Sequence, residues 1–235
     1  METVGVNVTH DASFCRCVNG EIDMFLEEER LSRKKHDNMP VKTVMELQES
    51  NFAGVTGLEY HDYSLRDTCN FFDVIFRKKI PDHDYRTYNQ HHYLHACCGF
   101  YNSGFEEADV VVVDGLGNFF DEENHECATR WHIKKPAEIK LLERQGASRF
   151  GTKTDRHGYW PMGVGMAYAS ISDYLGFGQL GSGKVMGLAP YGKEDPNIKP
   201  FVIDGRVNSK LFYRTKYSAN FCLLYTSDAA DESDR

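Results

Sequence analysis

Two histidines four residues apart and one later aspartate are the side chains of this sequence best suited to hold a metal ion. They are His91 and His95, within His91-His92-Tyr93-Leu94-His95, and Asp114 at the end of a valine run. Residues four apart on a helix project from one face, so His91 and His95 can offer two imidazoles to one ion. Asp114 would add a carboxylate. Two imidazoles and a carboxylate leave positions open on a divalent cation, as substrate-binding metal sites do. The same residues also fit a plainer reading, in which the histidines are solvated or hydrogen-bonded and Asp114 caps a turn.

Other groups qualify by type. His10 and Asp11 follow the first strand, and Asp11 can cap local backbone amides in a turn. Gly115 and Gly117 permit close approach of backbone to a ligand, and Gly183-Lys184 does the same with a charge added. The run Gly181-Ser182-Gly183-Lys184 is not a full phosphate-binding P-loop. Lys35 ends a basic run, Arg33-Lys34-Lys35, that faces Glu27-Glu28-Glu29, and surface ion pairs between such runs contribute little.

The elements that must carry these groups follow from pattern. Residues 4–8 form a short apolar strand candidate, and residues 13–18 and 21–28 flank Asn19-Gly20, a strong hairpin signal. Residues 41–49 show Val41, Val44, Met45 and Gln48 at helical spacing. Residues 65–79 form a second helical candidate, 81–89 a polar loop, and 91–100 a helix rich in small residues. The valine run 108–114 predicts a strand buried on both faces, followed by the turn 115–117. Residues 126–134 and 138–143 predict two more strands with Pro136 between them, and 148–160 a polar loop. Residues 163–175 predict a helix whose start is weakened by Gly163 and Gly165, and 176–192 is Gly-rich. The second strand set echoes the first. Such duplication suggests the α/β actin-like, ribonuclease-H-like fold, with halves at 1–105 and 106–221, the second incomplete at its C-terminus.

Composition sets the class. The chain has 235 residues, 41% hydrophobic and 26% charged, as in an ordinary globular protein. Neither a signal peptide nor a run long enough to cross a membrane is seen, which predicts a cytoplasmic location. The seven cysteines form no CxxC pair, so neither a disulfide framework nor a zinc site is expected from them. A net charge of -8 argues against general nucleic-acid affinity. The end of the chain, Cys-Leu-Leu-Tyr-Thr-Ser-Asp-Ala-Ala-Asp-Glu at 222–232, reads like a translated sequencing adapter, so residues 222–235 are expected to be foreign.

Several segments resemble one enzyme family. HHYLHACCGF at 91–100 is similar to the HHxxHAxxAF signature of the carbamoyltransferases that include nodulation and antibiotic-tailoring enzymes. THDASFCRCVNGEI at 9–22, EEERLSRKKHD at 27–37, VVVDGLG at 111–117 and GKVMGLAPYG at 183–192 resemble the same family, in the same order. The resemblance runs from about residue 4 to residue 193.

The resemblance implies an amino-terminal, iron-binding domain similar to the tRNA threonylcarbamoyl transferases. A YrdC-like domain elsewhere in the protein would make carbamoyl adenylate from carbamoyl phosphate and ATP. The amino-terminal domain would pass the carbamoyl group to a hydroxyl-bearing small molecule. By motif position, His91, His95 and Asp114 look like ligands of a divalent metal, Fe(II), with a second Asp expected beyond residue 221. His10 looks like the group that takes the acceptor's proton, a role suited to an imidazole at neutral pH. Lys35 looks like a contact to the adenylate phosphate, and Asp11, Gly115, Gly117, Gly183 and Lys184 look like its other nucleotide or substrate contacts. Gly163-Val164-Gly165 departs from the family's Ser-Leu-Gly, which puts one hydroxyl contact in doubt. The alternatives are a tRNA threonylcarbamoyladenosine transferase-like protein and a nucleotide- and metal-binding fragment without activity of its own. The segments at 27–37 and 185–192 and the acidic balance favour the O-carbamoyltransferase.

Overall fold

Asn19 and Gly20 set the first fold element, because both take positive φ, 54° and 90°. That is the two-residue turn whose twist matches antiparallel strands. It joins β2 (Ser13–Val18) to β3 (Glu21–Glu27), with Val18 opposite Glu21. The computed structural model describes residues 2–8, 11–46, 55–60, 90–121, 124–148, 162–214 and 219–221. Its chain divides by contacts into two units, Met1–Leu94 and His95–Arg235.

In the first unit β1 (Glu2–Val8) pairs antiparallel with β2 and parallel with β4 (Val55–Tyr60), giving the order β3-β2-β1-β4. Val4 and Val6 are buried at the two-residue period of a strand, together with Ala12 and Phe14. α1 (Glu28–Ser32) follows β3 directly, and α2 (Val41–Met45) starts after Pro40. The predicted helix at 41–49 is thus seen at its first turn, and residues 47–50 lie outside the described residues. The candidates at 65–79 and 81–89 lie outside them too, as does most of 148–160.

The unit boundary falls within α3 (His91–Ser103), which packs with the second unit and is described there. α3 stops at Gly104, whose φ of 78° supplies the left-handed residue common after a helix. β5 (Glu107–Val113), β6 (Asn124–Lys134) and β7 (Glu138–Ser148) form an antiparallel meander in the order β5-β6-β7. Each unit therefore holds a three-strand antiparallel meander, and the fold is mixed α/β with small, mostly antiparallel sheets.

The valine run corrects one expectation. Only the face with Val110 and Val112 packs inward, against Ala96, Phe100 and Ile133. Val111 and Val113 are 65% and 56% exposed. They share the outer face with cross-strand ion pairs, Glu107 with Lys134 and Asp109 with Arg130 and His132. β5 is the end strand of its sheet among the described residues, and a helix covers one side of it.

A second correction concerns the Gly-rich stretch. It holds α5 (Ser182–Leu188) and a 3-10 turn, Ala189–Tyr191. Buried Gly181 starts it, because a Cβ there would lie 2.6 Å from Phe177 and 2.7 Å from Ser172 Oγ. The helix forms despite Gly183 and Gly187, which cost about 1 kcal/mol each, and none of its residues is buried. Ahead of it α4 (Val164–Tyr174) occupies the predicted helix and contributes Ala167 to a cluster with Met162, Val207, Leu211 and Phe212.

Candidate metal centre

The stripe that seats α3 also aims its ligands. His92, Ala96 and Phe100 are buried at four-residue spacing. His91 and His95 sit one residue back, roughly 100° round the helix. That rotation leaves His91 half-buried and His95 exposed, beside the end of β5. Asp114 lies one residue past β5, held there by its N–H on the Cys127 carbonyl at 3.0 Å.

The three side chains converge. One ligand atom each from His91, His95 and Asp114 lies within 4.8 Å of the others, and His95 Nε2 is 3.9 Å from Asp114 Oδ2. Donors bound at about 2.1 Å to a common ion stand roughly 3.0–4.2 Å apart, so the donor set fits a divalent cation with small side-chain adjustment. The Asp114 carboxylate is already divided between tasks. Its Oδ1 accepts the Gly115 N–H at 2.6 Å, which leaves Oδ2 turned to His95. A backbone hydrogen bond of this kind orients the carboxylate and limits its rotamers.

The turn after Asp114 explains two glycines that composition alone reads as helix breakers. A Cβ on Gly165 would overlap the Gly115 backbone nitrogen and stand 2.6 Å from the Asp114 carbonyl carbon. A Cβ on Gly163 would stand 2.6 Å from Cys127 Cβ. The start of α4 therefore packs backbone to backbone on the Asp114 turn. We expect Gly165→Ala to lose about 1–3 kcal/mol, since no flexible side chain can yield, and to weaken metal binding by displacing Asp114. Chemical unfolding and a metal titration check this; unchanged values for both would remove the packing role.

Gly117 is buried, with its N–H on the Glu126 carbonyl at 2.8 Å. Gly183 and Lys184 lie in the first turn of α5, exposed, with nothing within 4 Å of a Cβ on Gly183. Packing does not require that glycine. Lys184 Nζ stands 5.5 Å above the Phe177 ring. His10 lies outside the described residues.

Asp11 and Lys35 belong to a second cluster, in the first unit. Lys35 Nζ is 3.2 Å from each Glu29 oxygen, the surface ion pair expected of the two opposed charge runs. Asp11, Glu29 and His36 offer donor atoms within 4.8 Å of one another. Sequence reasoning missed Glu29 and His36 here. Asp11 and His36 are 25 residues apart, and only the hairpin's return brings them together.

Comparison with known proteins then decides the family. Residues 66–229 match the family described as Carbamoyltransferase N-terminus. The chain belongs to this carbamoyltransferase family. The match contains the segments at 91–100, 111–117 and 183–192, and it takes in residues 222–229 of the stretch read above as foreign. Nodulation protein NolNO of Sinorhizobium fredii is 24% identical over 216 residues, which cover 80% of this chain and 28% of that protein. An uncharacterised Synechocystis protein is 23% identical over 248 residues, covering 86% of this chain and 36% of its own length. Nodulation protein NolO of Bradyrhizobium diazoefficiens is 33% identical over 107 residues, or 45% of this chain and 16% of that protein. The carbamoyltransferase chain thus spans about a quarter to a third of the first two curated relatives it matches. Among its described residues no helix is long and apolar enough to cross a membrane.

Proposed function

We propose that this carbamoyltransferase chain is the amino-terminal, transferring part of a cytoplasmic O-carbamoyltransferase. The observation that carries the reading is the convergence of His91, His95 and Asp114 in a chain of this family. A YrdC-like domain of the same protein would supply carbamoyl adenylate from carbamoyl phosphate and ATP: water releases inorganic phosphate from carbamoyl phosphate, and the carbamate then takes AMP from ATP with release of pyrophosphate. In this reading the two meanders belong to the two halves of an actin-like fold that encloses the nucleotide.

A carbamoyl carbonyl is a poor electrophile because its nitrogen donates into it, and the mixed anhydride supplies a good leaving group. An Fe(II) held by His91, His95 and Asp114 would supply Lewis acidity to the donor's oxygens. The acceptor oxygen forms a bond to the carbamoyl carbon, the anhydride C–O bond breaks, and AMP leaves with that electron pair. His10 takes the acceptor's proton as the new bond forms. Gly115 and Gly117 bring backbone to the nucleotide, with Asp11, Gly183 and Lys184 as further contacts. Lys35 contacts the adenylate phosphate, and to do so it must exchange Glu29 for phosphate oxygens. Positioning of the two reactants in one cleft accounts for much of the rate.

The intact protein tests this directly. Pyrophosphate should leave ATP only when carbamoyl phosphate is present, at least tenfold above the rate without it, about 1.4 kcal/mol of barrier or more. Release that ignores carbamoyl phosphate would overturn the reading.

A further inference from the structure

Lys35 is tied to a carboxylate that is better anchored than the lysine itself. Its Nζ lies 3.2 Å from each Glu29 oxygen. The Glu29 side chain is 10% exposed and the Lys35 side chain 71%. Glu29 stands in α1 next to buried Glu28, and its Oε2 also accepts the His36 N–H at 3.2 Å. A lysine on its flexible four-carbon stem can swing to another anion, while this carboxylate is held in place.

The carboxylate stays ionised when the lysine turns away. Two groups hold its pKa below the ordinary carboxylate range, the His36 N–H first and the Lys35 ammonium second. The larger of the two is backbone and remains. Arg30 is another cation at hand, 3.7 Å from Glu29 Oε1, but it is mostly exposed and its Nε is paired with Glu27 at 2.9 Å. Asp11 offers a second carboxylate within 4.8 Å. Negative charge therefore faces any anion that Lys35 takes up.

Distance makes that charge count. A phosphate oxygen on the far side of Lys35 Nζ stands at most about 6 Å from Glu29, two charge-assisted hydrogen bonds end to end. The screening length at physiological salt is about 8 Å, so the repulsion is felt. It grows with the charge on the phosphate. The mixed anhydride of carbamoyl adenylate carries one negative charge. Breaking its C–O bond leaves AMP as a phosphate monoester, whose second pKa of about 6 makes it largely a dianion at neutral pH. The transfer step thus doubles the phosphate charge beside Glu29.

We propose that Glu29 makes the Lys35 phosphate contact selective for a singly charged phosphate, so that carbamoyl adenylate is accepted and AMP is driven off after transfer. This rests on the reading of Lys35 as the adenylate phosphate contact. Lysine alone would favour the product, because it attracts a dianion more strongly than a monoanion. Glu29 offsets that preference.

Glu29→Gln removes the charge and keeps an oxygen for the His36 N–H. Titration calorimetry of the intact, iron-loaded protein at about pH 8 compares AMP, a dianion there, with the methyl ester of its phosphate, a monoanion. The site in question is the one that Lys35→Ala weakens by at least about tenfold. At that site Glu29→Gln should tighten AMP about tenfold and the ester about threefold, because the interaction is linear in charge and a doubled charge squares the factor. Stopped-flow dissociation of AMP should slow to match. An equal change for both ligands overturns the proposal, since a reshaped loop acts on both alike. So does no change for either. Circular dichroism and Tm show whether Glu29→Gln is folded, and Glu29→Ser gives the same comparison if it is not. A Lys35→Ala protein that binds both ligands as tightly as wild type overturns the reading of Lys35 instead, and this proposal with it.

Discussion

Replacing His91 and His95 together by alanine is expected to abolish iron uptake while leaving the helix folded. The two imidazoles are two of the three donors that converge, and Asp114 alone offers one carboxylate whose other oxygen is taken by the Gly115 N–H. Loss of two of three ligands removes the chelate. Alanine is the strongest helix former, and neither histidine belongs to the buried stripe of His92, Ala96 and Phe100. Far-UV circular dichroism and Tm should therefore match the wild type. Metal analysis of the intact protein, loaded with Fe(II) under anaerobic conditions, gives the answer. Wild-type stoichiometry in the double variant would remove this centre from the mechanism. Acid should imitate the substitution, because an imidazole must be neutral to ligate. Metal retention should fall as pH is lowered.

The largest expected loss of stability lies at Glu28. Its side chain is 2% exposed and reaches from α1 to the start of α2. One carboxylate oxygen accepts the Lys42 N–H at 3.1 Å, and the other accepts the Thr43 N–H at 2.8 Å and the Thr43 hydroxyl at 3.1 Å. The first turn of a helix has no internal acceptors for its N–H groups, and Pro40 offers no side-chain cap. Glu28 takes the place of that cap from a distance of 15 residues. Glu28→Ala strands the buried Thr43 amide and the part-buried Lys42 amide and leaves space behind, for an expected loss of about 2–4 kcal/mol. Glu28→Gln retains one acceptor oxygen and should lose about half as much. Urea unfolding at constant m reads the difference. A midpoint equal to wild type in Glu28→Ala would mean that water replaces the carboxylate without cost.

Local chemistry was enough to read much of the chain. Asn19-Gly20 specified the first hairpin because few other pairs take positive φ at both central turn positions. The i, i+4 spacing of His91 and His95 needed only a helix to put both rings on one side, and Asp114 needed only to end a strand. The convergence of these three side chains was therefore legible before their geometry was known. Valines also marked β5, but a run of apolar residues does not say which face will be covered; the packing of Ala96 and Phe100 of α3 on one side decided that.

Contacts distant in sequence were decided only by tertiary structure. Gly163 and Gly165 read as weak points in a helix, yet they are the places where backbone meets the Asp114 turn and Cys127. The Gly-rich segment at 182–188 forms a helix although none of its residues is buried. Glu28 reads as one of three surface acids and proves to be a buried cap, and His36, just past the basic run, proves to stand 2.7 Å from Asp11. Propensity and spacing act over a few residues, where the covalent chain limits the options. A hydrogen bond across 15 or 25 residues depends on how the strands return, and no short window of sequence carries that information.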